Sequence, residues 1–274
     1  MRDDAMSADE LLLARLHLGA VLPLLEDVVA RDSAAREAVR GWNFSLRLQL
    51  PGGDPATVLQ FRHGRLEVRI EPTRSLLPTL TFRDPRHLND SFRGCAVARP
   101  RPNPLVLGHL RPVLGLDRVL GRLETYLRPP PERLVEPEDF AFCVKLALYG
   151  LAFGIKQVGE HDPVLAPLSR FIPDGVLGIE VADGPAAHIG VRRGSFFPGR
   201  GRADRPNALM VLSDLPAAWD LLQGRLDVFA AVGSGRIRLS GFIPLLEGMN
   251  PLMDRLAACL ATPAPDGREE VRAG

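Results

Sequence analysis

Residues 207–256 read NALMVLSDLPAAWDLLQGRLDVFAAVGSGRIRLSGFIPLLEGMNPLMDRL. NALMVL is a short apolar strand, and it ends at Ser213 and Asp214, whose side-chain oxygens can accept hydrogen bonds from the free N–H groups of a helical first turn. LPAAWDLLQG then has helical apolar spacing and stops at Gly224, a residue suited to the left-handed conformation that ends helices. The glycines of GSGRIRLSG punctuate a further strand, after which Gly241 and Pro244 redirect the chain. The closing segment carries Phe242, Ile243, Leu245, Leu246, Met249, Leu252, Met253 and Leu256, more large apolar groups than one face of a short helix can hide. The sheet, a ligand acyl chain or a partner protein must cover the remainder. Met249 and Met253 suit an adaptable wall, because thioethers fill irregular space, although an ordinary core accounts for the same residues.

Working outward, a shift of 130 residues brings like features of the chain into register. Ser7 to Val29 and Pro137 to Val158 both have helical apolar spacing, with Arg15 over Lys145, Asp32 over Asp162 and Arg40 over Arg170. Strand candidates FSLRLQL and GVLGIEV follow, then the pairs TVLQFRHGRLEVRI and AHIGVRRGSFFPGR with Gly64 over Gly194 at the hairpin position. PTLTFRD and NALMVLSD end on Asp84 and Asp214. The order of elements implies a duplication, with a stiff linker at Pro129-Pro130-Pro131 between the copies.

The 207–256 stretch resembles the C-terminal half of the sterol carrier protein type-2 domain, in which a capped strand, two helices, a Gly-bounded strand and an apolar closing segment surround a lipid-sized tunnel. By the same offset the resemblance extends more weakly to the first half. It implies an α+β fold of two units, each a mixed, mainly antiparallel sheet of about five strands with helices on one face. The expected organisation is a degenerate unit at 1–128, a Pro-rich linker at 129–135, a lipid-binding unit at 136–262 and a flexible tail at 263–274. The first unit departs where the second reads DVFAAVGSGRIRLSGFIP: AVARPRPNPLVLGHLRP has Pro at 100, 102 and 104, which exclude a central strand or a helix interior. The preceding helix is expected to be lost, with Leu105 and Leu107 in the closing strand. Trp219 and Leu222 share a helix face, so the expected ligand-binding set is Trp219, Leu222, Phe229, Leu239, Phe242, Leu246, Met249 and Met253.

Composition narrows the function classes. The 274 residues carry 34 Lys plus Arg against 33 Asp plus Glu, so no net field points to nucleic acid. The basic residues are nearly all Arg, with Lys only at 145 and 156, which reads as a GC-rich bacterial coding bias. Cys95, Cys143 and Cys259 give neither a disulfide framework nor zinc-ligand spacing, and the N-terminus MRDDAMSADE lacks the positive region of a signal peptide. The expected compartment is a reducing cytoplasm. Phe140 to Val158, the most hydrophobic stretch, carries two lysines and reads as a buried core helix. Six scattered histidines show no helical metal-pair spacing, no nucleophile elbow or phosphate loop is present, and Cys143 and Cys259 lie in apolar segments.

These features predict a non-catalytic binder or carrier of an apolar lipid-like molecule (fatty acyl, isoprenoid, quinone or sterol-like), with no catalytic residue, metal or cofactor implied. Transient contact with a membrane or an enzyme, and a homodimer, are compatible with that role. The alternative is an accessory protein with filled cores that docks a biosynthetic enzyme or self-associates through its apolar C-terminal segment.

Overall fold

The computed structural model describes the backbone of residues 2–70 and 76–261; the side chains of 2–7, Phe229 and Ala261 lie outside the described set, as does the expected tail at 263–274. The first unit opens with a near-continuous helical run: α1 (Arg2–Leu16), a π turn at His17–Val21, a 3-10 turn at Leu22–Leu24 and α2 (Leu25–Arg31), then α3 (Ser33–Ala38). Strands β1 (Phe44–Gln49), β2 (Ala56–Arg62), β3 (Arg65–Arg69) and β4 (Thr79–Thr81) precede α4 (Pro85–Phe92), β5 (Arg101–Pro102), a 3-10 stretch at Pro104–His109 and α5 (Leu110–Leu127). After the short α6 (Pro131–Val135), the second unit runs α7 (Pro137–His161), α8 (Ala166–Ser169), β6 (Gly175–Val181), β7 (Ala186–Arg192), β8 (Ser195–Arg200), β9 (Ala208–Leu212), α9 (Leu215–Leu222), α10 (Val228–Gly233), β10 (Ile237–Gly241) and α11 (Ile243–Ala261).

The duplication is present in the topology. One sheet has the order β3-β2-β1-β4-β5 and the other, read from the opposite edge, β8-β7-β6-β9-β10. In each, the first strand pairs antiparallel with its hairpin partner and parallel with the strand before the capped helix. Both hairpins turn on two positive-φ residues, His63-Gly64 and Arg193-Gly194, the mirror-image turn whose twist matches that of the flanking strands. Asp84 and Asp214 cap α4 and α9 identically, each accepting from the N–H three residues on, at 2.8 and 2.7 Å. The fold is therefore α+β, two mixed five-stranded sheets with helices on one face. Alternation explains the one-sidedness: Phe44, Leu46 and Leu48, like Leu177, Ile179 and Val181, are buried beneath helices, while the intervening residues of β1 and β6 are more exposed or are glycine.

A matched polar clamp ties the last long helix of each unit to its first. Asp32 caps α3 by accepting from Ala35 N–H at 2.7 Å, and also takes Arg122 Nε from α5 at 3.1 Å and the Tyr126 hydroxyl at 2.9 Å. Asp162 accepts from Val164 and Leu165 N–H, both at 2.9 Å, and takes Arg255 Nε from α11 at 2.7 Å. Burying a carboxylate is tolerated when its lone pairs are filled in this way.

The two units share one hydrophobic core. The 25-residue α7 is long and apolar enough to cross a bilayer, yet 61% of its most apolar stretch is buried inside the molecule. It meets β8 and β7 of its own unit and the His17–Val21 turn of the other. Small residues permit the approach: a Cβ on Gly19 would meet Gln157 at 2.5 Å, and one on Gly154 would meet Leu256 at 2.6 Å.

Two local expectations are corrected. The linker is not extended throughout: Pro130 is, but Pro131 begins α6, a position that proline's fixed φ and missing N–H suit. Leu105 and Leu107 lie in the 3-10 stretch and are exposed, and the closing strand is instead Arg101–Pro102. Pro102 is accommodated because β5 is an edge strand. The loss of the preceding helix is as expected, since 95–100 has no regular structure where the second unit has α10.

Candidate functional site

The eight expected ligand-binding positions divide into two groups. On α11, Leu246 and Met249 are buried and Met253 is half-buried against the core. Trp219 is buried on α9 with its ring edge-on to Phe140 of α7, centroids 6.1 Å apart, so it faces the long helix as well as its own sheet; Leu222 packs at the core margin. Phe229 lies outside the described side chains. Leu239 and Phe242 stand apart from the rest, at the open edge of the sheet.

Leu239 is the informative residue. It pairs with buried Met210, and its strand neighbour Ile237 pairs with buried Leu212, so all four point to the helix-covered face. Ile237 is 1% exposed, whereas Leu239 is 37% exposed. The helical cover of β10 therefore stops after Ile237, leaving Leu239 open while its β9 partner Met210 stays covered. Phe242 and Ile243, three and four residues on at the start of α11, and Val228 and Val232 on α10, a helix in contact with β10, are also exposed. The two valines are four apart and share a helix face. Phe242 and Ile243 were legible as surplus apolar residues; Val228 and Val232 are added by the structure, and their signal was the i, i+4 spacing behind the capping residue Asp227. Strand pairing places Pro102 where the second unit has Leu239, since Leu80 pairs with Pro102 as Met210 pairs with Leu239.

Two hollows lie elsewhere. One, of about 270 Å³, is in the first unit beside β4 and β5. The other, of about 550 Å³, lies between the units and is bordered by Asp27, Arg31, Phe142, Lys145 and Gly184. Its charged groups satisfy one another: Lys145 Nζ is 3.1 Å and Arg200 Nε 2.9 Å from Asp27, and Arg31 lies 3.4 Å from Asp139. Lys145 also stands over the Phe142 and Tyr149 rings.

Two of the three thiols are held protonated. Burial pushes the Cys143 thiol up to about 11 and raises Cys259 also, so both hold their protons at neutral pH. His188 Nδ1–H donates to the Gly201 carbonyl, 3.0 Å away. Among the described residues, no three His, Cys, Asp or Glu side chains come within reach of a common metal ion.

No family model and no curated protein matches the chain. Solved structures do. The chain is similar to the sterol carrier protein domain 2 of Helicoverpa armigera, at 19% identity and a TM-score of 0.34, over 45% of this chain and 93% of that one. It is similar to a UbiJ-SCP2 ubiquinone synthesis protein at 16% identity and a TM-score of 0.33, over 40% of this chain and 96% of that one. A third similarity, at 17% identity and a TM-score of 0.25, is to the stereoselective inverting sec-alkylsulfatase Pisa1 from Pseudomonas sp., over 50% of this chain and 21% of that one.

Proposed function

We propose that the second unit binds an apolar, lipid-like ligand at the open edge between β10, α10 and the start of α11, and carries or presents it without a covalent step. The observation that carries this reading is Leu239, an inner-face residue left without its helical cover at the sheet edge, followed in the chain by the exposed Phe242 and Ile243. Covering such surface contributes about 25 cal/mol per Å² of apolar area removed from water. Further along α11, Met249 and Met253 supply side chains that can reshape around a guest. The sequence resemblance to sterol carrier domains supports the same class of ligand.

The test is extraction of freshly purified protein with organic solvent, mass spectrometry of the extract, and titration with a fluorescent fatty acid. Wild type should yield lipid and bind the probe. A Leu239→Glu/Phe242→Glu variant should lose both at unchanged melting temperature, because both side chains are already partly exposed. Absence of lipid from wild type together with absence of probe binding would remove the proposal. If the same substitutions instead dissolve a dimer seen by light scattering, the edge is a protein-docking surface.

A further inference from the structure

The first unit differs from the second most where its proline run replaces α10, and the roughly 270 Å³ hollow opens there. Its wall is basic. Arg83, Arg99 and Arg101 border it together with Thr81, His87 and Val97. The geometry points to a binding site for a phosphate group, carried by a small soluble ester or by a lipid headgroup, at this hollow between β4, β5 and the residues before α4.

Convergence of donors is the first argument. Thr81 and Arg101 are directly opposed across β4 and β5 and share the solvent face of the sheet. The Thr81 hydroxyl oxygen accepts from Gln49 Nε2 at 3.4 Å, which leaves its own proton free to donate. Arg83 enters from the end of β4 and Arg99 from the segment leading into β5. Guanidinium forks donate two parallel hydrogen bonds to phosphate or carboxylate oxygens, and three around one hollow with a hydroxyl match the many oxygens of a phosphate.

The second argument is the missing counter-charge. Asp84 is committed twice, to the His87 N–H at 2.8 Å as a helix cap and to Arg83 Nε at 2.9 Å. Arg99 and Arg101 make no side-chain hydrogen bond or ion pair among the described residues. In the inter-unit hollow, by contrast, Lys145, Arg31 and Arg200 all have carboxylate partners. Two unpaired guanidinium groups beside a third leave net positive charge for a ligand to neutralise.

The third argument is that the wall is held in place. His87 is buried, its Nδ1 accepts the Arg83 N–H at 3.0 Å, and its Nε2–H therefore donates to the Ala98 carbonyl, 2.6 Å away. One ring thus fixes both the residue that starts the hollow and the loop that carries Arg99. The backbone carrying Arg83 and Arg99 is thus ordered before binding, and only the guanidinium stems remain to be fixed by the ligand. In the second unit the position of His87 is Ala217, and that of Arg83 is Ser213, so the site is particular to the first unit.

The experiment uses the full-length protein at low ionic strength. Binding of inorganic phosphate and of glycerol phosphate is followed by calorimetry, and binding to phosphatidylcholine vesicles with and without phosphatidic acid by co-sedimentation. Arg99→Ala/Arg101→Ala should weaken binding by roughly tenfold or more, the affinity equivalent of losing a charge-assisted hydrogen bond. Arg62→Ala/Arg65→Ala, on the same sheet face but outside the hollow, should bind as wild type does. Loss confined to the soluble phosphates identifies a small ester as the ligand, and loss confined to phosphatidic acid vesicles identifies a headgroup. The proposal is overturned if wild type binds none of these probes, or if both double substitutions weaken binding equally.

Discussion

Asp162 shows what a single residue does for this fold. Burial alone would push its carboxyl up, but hydrogen bonds from Arg255 and from the Leu165 and Val164 N–H groups outweigh that and hold it below the usual carboxylate value. Asp32 is held low in the same way against its own burial, by Arg122, Ala35 N–H and Tyr126. A carboxyl depressed in the folded state contributes stability that is present above its unfolded pKa, near 4, and is lost as pH falls through the folded value. Asp162→Ala should cost about 3 kcal/mol, because it strips a cap and removes the buried one of Arg255's two carboxylate partners, leaving only the exposed Asp9. Asp162→Asn, which keeps an acceptor for the N–H groups, should cost less and should flatten the acid limb of stability below about pH 4. Urea melts from pH 3 to 7 check both. His17 acts in a higher window. Burial and then Arg93 lower it to about 3, and its ring stacks on Phe92 with centroids 4.8 Å apart. The folded protein therefore binds a proton less readily than the unfolded chain, so stability is complete above about pH 6.5 and declines below it, by at most about 1.4 kcal/mol per pH unit for each such histidine. His161 is lowered too, by burial and then Arg15. His17→Phe, which keeps the stack, should remove about half of the slope between pH 6.5 and 5; an unchanged slope would show that the half-buried His17 is not held neutral.

Among the elements, α7 and α5 make the contrast between a helix inside the molecule and one on its surface. Gly159 of α7 lies against the Phe196 ring so closely that a Cβ would overlap it, whereas Gly121 of α5 faces open space. Gly159→Ala should destabilise by about 1–3 kcal/mol through overpacking, and Gly121→Ala should stabilise by roughly 0.5–1 kcal/mol through helix propensity. Thermal melts of the two single variants should move in opposite directions. The elements themselves were well marked in the sequence, because each carries its signal locally: Asp84 and Asp214 announce helix starts, His63-Gly64 and Arg193-Gly194 announce turns, and the prolines at 100–104 announce a missing helix. The π turn at His17–Val21 was not legible, since nothing in HLGAV departs from α-helical spacing; it lies where α7 crosses and Gln157 sits over Gly19. Leu105 and Leu107 misled because β alternation and a short 3-10 run look alike over three residues. The candidate site was half legible. A surplus of apolar residues can be counted in the closing segment, but which of them lose their cover depends on where α10 and α11 end relative to β10, and that is fixed by tertiary packing.

At the scale of the whole molecule, the duplication predicts two units that could fold apart, and the contacts between them argue otherwise. Arg255 of the second unit pairs with Asp9 of the first, Arg200 reaches Glu26 at 2.8 Å, and Lys145 reaches Asp27 rather than its own unit's turn. The position matching Lys145 is Arg15, which does pair within its unit, with Asp54 at 2.6 Å; the residue matching Asp54 in the second unit is Gly184, so Lys145 has no such partner at home. Beneath these pairs, Leu24 packs toward Gly150, and buried residues of both units join in one cluster. Surface ion pairs contribute little individually, but a shared core does not divide without exposing apolar surface on both sides. The intact chain should therefore melt in one cooperative transition rather than two. Residues 131–274 expressed alone should aggregate or show expanded, non-cooperative behaviour, and so should residues 1–130. Mixed during refolding, the two fragments should recover a one-to-one complex with the far-ultraviolet circular dichroism of the intact protein. A calorimetric trace with two separate transitions, or a second-half fragment that melts cooperatively at the temperature of the full chain, would show that the duplication has kept its units independent and that the interlocked α7 is not what holds them.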